Sequence, residues 1–63
     1  MPIAQIILIE GRTEQQKRDV IEKVSNALQA ATGSPMESIR VVLNEVPNTD
    51  FGMGGVMAKD LGR

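Results

Sequence analysis

Apolar residues follow three different rhythms along the chain. Residues 2–9 (PIAQIILI) are apolar almost without a break, with only Gln5 interrupting, and they are rich in β-branched side chains. A run of this kind, closed by Glu10 and Gly11, reads as a β-strand covered on both faces. Left uncovered, it would be an aggregation hazard, so it is expected at the centre of a sheet or against another subunit. Beyond Thr13 the spacing changes to threes and fours: Val20, Ile21, Val24, Ala27, Leu28 and Ala31 share one stripe, which predicts a helix over Glu14–Thr32. Thr13 with Gln16 three residues later has the form of a capping box, Gly33 suits the position past the helix end, and Pro35 prevents continuation. Glu14/Arg18, Arg18/Glu22 and Asp19/Lys23 are candidate i, i+4 pairs on the outer face.

Residues 39–46 (IRVVLNEV) alternate again, with Ile39, Val41 and Leu43 on one face and Arg40, Val42, Asn44 and Val46 on the other, as in a second strand. Two strands joined through one helix by short connections make a β-α-β unit with parallel pairing and a right-handed crossover. Pro47–Asp50 is turn chemistry, and the glycine-dense Phe51-Gly52-Met53-Gly54-Gly55 is a hairpin or bulge before the short tail Val56–Arg63. No repeat or linker divides the chain, so a single domain over residues 1–63 is expected.

Size changes the picture. A chain of 63 residues hides only about 60% of the surface that its unfolded form exposes. With no Cys and no His, neither a disulfide framework nor a Cys/His metal site can add stability, which leaves oligomerisation. Seven Lys plus Arg against eight Asp plus Glu give a net charge of −1, with the basic residues scattered, so nucleic acid is not an expected partner. The apolar stretch Ile6–Ile9 is too short to cross a bilayer and the N-terminus lacks the pattern of a secretory signal; a soluble cytoplasmic protein is the expectation.

Most of the usual catalytic inventory is missing: there is no His, Cys, Tyr or Trp, and Ser25, Ser34 and Ser38 have no nucleophile setting. Gly52–Gly55 lacks the Lys-Ser/Thr ending of a phosphate loop. What remains is the Met-Pro start. Removal of Met1 would expose the secondary amine of Pro2, and desolvation or nearby cations lower the pKa of such a group by disfavouring its charged form. Each candidate also has a plain structural reading. Pro2 is tolerated at a strand start, Arg12 and Arg40 can be solvated or snorkelling side chains, and Phe51 can be core. Met36, Met53 and Met57 read as packing or interface residues.

The opening PIAQIILIEGRTEQQK, the central SIRVVLNEV and the later FGMGG, at these separations, resemble the 4-oxalocrotonate tautomerase family, and the similarity covers essentially the whole chain. The resemblance implies an α+β fold of β-α-β protomers with parallel strands and a short C-terminal hairpin, usually assembled as hexamers from dimers. It implies Pro2 as general base, Arg12 and Arg40 as binders of substrate carboxylate and oxyanion, Phe51 as part of the apolar wall, and the backbone amide of Leu8 as a further donor. The implied reaction is keto-enol tautomerisation of an unsaturated 2-hydroxy or 2-oxo dicarboxylate such as 2-hydroxymuconate, in aromatic-compound breakdown, without cofactor or metal. Related hydratases and dehalogenases call for an added carboxylate, and Met53 occupies that motif position here. A non-catalytic oligomeric binding module is the alternative from another class.

Strand geometry adds a constraint. Pro2 and Ile9 stand roughly 23 Å apart at about 3.3 Å per residue, and Arg12 lies beyond the far end. A site using Pro2 and Arg12 together is therefore expected to be shared, with the base from one subunit and Arg12 from a partner whose strand runs antiparallel.

Overall fold

The structure, a computed structural model, describes residues 1–63. Strand β1 (Ile3–Ile9) leads into helix α1 (Glu14–Thr32), which returns the chain through a short 3-10 turn at Met36–Ser38 to strand β2 (Arg40–Val46). β1 and β2 pair in parallel with Ile3 opposite Arg40 and Ile9 opposite Val46, completing the β-α-β unit. Two short antiparallel strands, β3 (Gly52–Met53) and β4 (Val56–Met57), follow, and a 3-10 turn over Ala58–Leu61 ends the fold.

The helix begins and ends where its local chemistry dictates. The Gln16 N–H donates to Thr13 Oγ1 at 3.1 Å while the Thr13 N–H donates to Gln16 Oε1 at 2.9 Å, so both halves of the capping box are present. At the other end Gly33 adopts φ 74°, and its N–H reaches the Gln29 carbonyl. Of the expected helix ion pairs only Glu14–Arg18 forms. Asp19 instead accepts from Gln15 Nε2, and Lys17 reaches across to Glu45 on β2 at 2.5 Å, tying helix to sheet. The hairpin turns through Gly54 and Gly55, both at positive φ (61° and 83°), as a two-residue connection of the primed type requires.

Helix α1 covers one face of the sheet. Val20, Val24 and Leu28 are half-buried against the side that carries Ala4, Ile6, Leu8, Val41 and Leu43, whereas Ile21, Ala27 and Ala31 of the expected stripe stay exposed. On the opposite face Ile3 and Ile7 are 60% and 62% exposed. The full coverage expected of β1 is thus absent within one chain: a single helix can lie on only one face. Only Ile39 and Ala58 are buried among 63 residues. The radius of gyration is 14.4 Å, against about 11 Å for a compact domain of this length. The accessible surface is 4537 Å², against ~3,950 Å² for a monomer of this mass. Both excesses describe an extended chain that leaves apolar surface uncovered.

Candidate active site

The register fixes which backbone groups are free. Arg40 donates its N–H to the Pro2 carbonyl at 3.0 Å, and Glu10 donates to the Val46 carbonyl at 2.8 Å. In a parallel ladder alternate residues face the same neighbour, so residues 2, 4, 6, 8 and 10 turn their N–H and C=O groups toward β2. The Leu8 amide is therefore committed to the ladder, which corrects its expected role as a free donor. The outward set is Ile3, Gln5, Ile7 and Ile9, and it lies along an unpaired edge.

The named side chains gather at the two ends of this edge. At one end, Pro2 stands beside Arg40, whose Nη1 donates to the carbonyls of Glu37 at 2.6 Å and Ile39 at 3.3 Å. At the other end, Arg12 Nη1 donates to the Ile9 carbonyl at 2.8 Å. There a cavity of about 470 Å³ is lined by Ile7, Leu8, Ile9, Glu10, Arg12, Phe51, Met53 and Arg63. The fold thus unites Arg12, Phe51 and Leu8, and separately Pro2 and Arg40, but one chain does not join the two groups. Met1 is 77% exposed at the Pro2 end, and while it is attached the Pro2 nitrogen is an amide without basicity.

Three features of the cavity have no counterpart in the sequence pattern: the outward Ile9 amide and the lining residues Glu10 and Arg63. The first depends on register parity, which no local pattern specifies. The others sit in a connection and in the tail, where spacing carries no periodic signal. No group of three or more His, Cys, Asp or Glu side chains converges in a geometry that could hold a metal ion.

The profile of the family described as "Tautomerase enzyme" matches residues 2–61. This chain belongs to the tautomerase family. Among its relatives, a 2-hydroxymuconate tautomerase of Pseudomonas putida is 62% identical over 63 residues, covering 100% of both chains. One of Comamonas testosteroni is 52% identical with the same coverage. Among solved structures, one from a study of the 4-oxalocrotonate tautomerase isozymes of Methylibium petroleiphilum superposes with TM-score 0.95 at 60% identity, covering 98% of this chain and 100% of that one. A heterohexamer 4-oxalocrotonate tautomerase from Chloroflexus aurantiacus superposes with TM-score 0.93 at 33% identity, covering 97% of this chain and 98% of that one. The β-α-β fold with its C-terminal hairpin is thus the tautomerase fold, and the family is one of isomerases, enzymes that move a proton between two positions of a single substrate.

Proposed function

We propose that this tautomerase acts as a homo-oligomer, with Met1 removed in the cytoplasm, on unsaturated 2-hydroxy/2-oxo dicarboxylates of the 2-hydroxymuconate type. The carrying observation is the division of the site residues between the two ends of one open strand edge. Pairing β1 antiparallel with β1 of a second copy about a two-fold axis brings Pro2 and Arg40 of one chain toward Arg12, Ile9 and Phe51 of the other. It also satisfies the outward backbone groups of Ile3, Gln5 and Ile7. Six such chains, as dimers of this kind, would cover the apolar face that carries Ile3, Ile7 and Val42.

In the joined site the neutral Pro2 amine removes the proton of the substrate's 2-hydroxyl. The electron pair moves through the conjugated system, and the ammonium delivers the proton to a carbon further along. Guanidinium forks hold the carboxylates, and the outward Ile9 amide with one arginine stabilises the oxyanion as charge develops. The Phe51 wall and the nearby cations disfavour the ammonium form of Pro2, keeping the base neutral. The relatives' activity on 2-hydroxymuconate supports this substrate class. Met53 in the wall supplies a thioether where a water-activating carboxylate would serve a hydratase.

The test is conversion of 2-hydroxymuconate followed by ultraviolet absorbance, with 3-chloroacrylate as a second compound. Rapid loss of the enol spectrum is expected. Tight binding without conversion would make the protein a binding module, and chloride release in place of tautomerisation would make it a dehalogenase.

A further inference from the structure

We propose that Arg63 determines specificity for dicarboxylates by supplying the cavity with its uncommitted guanidinium; this rests on the substrate class proposed above. Two basic residues, Arg12 and Arg63, and one acidic residue, Glu10, are among those that line the cavity. Arg12 is partly occupied, because its Nη1 already donates to the Ile9 carbonyl at 2.8 Å. Without Arg63, Arg12 would be the one basic residue of the lining, with its Nη1 already shared with the Ile9 carbonyl. Arg63 adds a second basic side chain. Its guanidinium makes no ion pair: the two ion pairs of the protein are Lys17–Glu45 and Arg18–Glu14.

The position of Arg63 is built by the fold. Its N–H donates to the Ala58 carbonyl at 3.0 Å, and its own carbonyl oxygen accepts from Asn48 Nδ2 at 3.0 Å. Asn48 also accepts from the Lys59 N–H at 3.1 Å, so one side chain and one carbonyl of the turn after β2 fasten residues 59–63 beside the Phe51 wall. Ala58, the most deeply buried residue at 0% exposure, anchors the same segment. The main chain of Arg63 is engaged by Asn48 and Ala58, and the residue lines the cavity while its guanidinium makes no ion pair. With no ion pair to give up, its planar fork is free to meet a carboxylate. A monocarboxylate held at the Arg40 end gains nothing from it. A dicarboxylate long enough to span the joined site gains a charge-assisted contact.

The test compares trans,trans-muconate with sorbate, six-carbon dienoates that differ by a carboxylate in place of a methyl group and carry no hydroxyl to tautomerise. Calorimetric affinities are measured for the oligomer without Met1 and for Arg63→Gln and Arg63→Lys, with assembly checked by sedimentation. Arg63→Gln is expected to lower the muconate-to-sorbate affinity ratio about tenfold, the scale of one charge-assisted contact. Arg63→Lys, which keeps the charge and loses the fork, should retain part of the preference. In the same samples the expected loss for 2-hydroxymuconate turnover falls mainly on KM. An unchanged affinity ratio would overturn the proposal, whether both affinities fall together or neither moves. If muconate binding depends on Arg63 while the parent protein fails to tautomerise 2-hydroxymuconate, the catalytic reading fails and the assignment of Arg63 stands.

Discussion

Arg12 folds back on its own strand, its Nη1 2.8 Å from the carbonyl oxygen of Ile9, and so stands at the opposite end of β1 from Pro2. At about 3.3 Å per residue the separation is roughly 23 Å, beyond the reach of any single small substrate. On the reading proposed above, a second copy of the chain brings the two together.

Assembly is the first expectation to test. Sedimentation equilibrium at micromolar concentration should find the 6.8 kDa chain almost wholly in oligomers, with the hexamer as the expected state. Ile7→Lys places a charge on the exposed apolar face beside the open edge and should dissociate the assembly and abolish turnover together. A folded monomer that remains active would remove both the burial argument and the shared site.

If the site is shared, damage at its two ends should be complementable. Arg12→Ala and Arg40→Ala are each expected to lower kcat/KM for a dicarboxylate about 10²- to 10³-fold, the range seen when an oxyanion donor is removed. Both should leave the far-ultraviolet spectrum intact. Impaired Pro2→Ala and Arg12→Ala chains, unfolded together and refolded, should regain part of the parent activity, since some mixed dimers then hold one intact site. Recovery no greater than that of the separate variants would place base and arginine in one chain.

The state of the N-terminus decides whether a base exists at all. Protein shown by intact-mass spectrometry to keep Met1 quantitatively should tautomerise at close to the background rate. Protein beginning at Pro2 should be active, with a pH-rate limb on the acidic side where the amine takes up a proton. Full activity in the Met1 form would sink the proline mechanism.

The helix start offers a check on stability that leaves the site alone. Thr13→Ala removes the oxygen that accepts from the Gln16 N–H and should cost about 1 kcal/mol. It should be read as a lowered Tm at fixed protein concentration, because the stability of an oligomer shifts with concentration.

Much of this protein is legible in its amino-acid sequence. The helix boundaries follow from Thr13, Gln16 and Gly33, and the two faces of β2 from the alternation of Val41 and Leu43 with Arg40, Val42 and Asn44. These are local properties: a cap, a period and a positive φ are decided within a few residues. The opening, central and glycine-rich motifs likewise identify the family, which the matched profile confirms. The incomplete core was legible too, because size and apolar content already required a partner.

Tertiary structure decided the rest. Whether the amide of Leu8 or that of Ile9 is free depends on the register between β1 and β2, and a shift of one residue would exchange them. The joining of Arg12 with Phe51 at one end and of Pro2 with Arg40 at the other follows from strand direction and from where the hairpin packs. Arg63 enters the cavity only because Asn48 and Ala58 hold the tail there, through contacts separated by 15 residues in one case. Periodicity reports which way a side chain points from its own element. It carries no information on which element it meets, and that is settled by long-range packing.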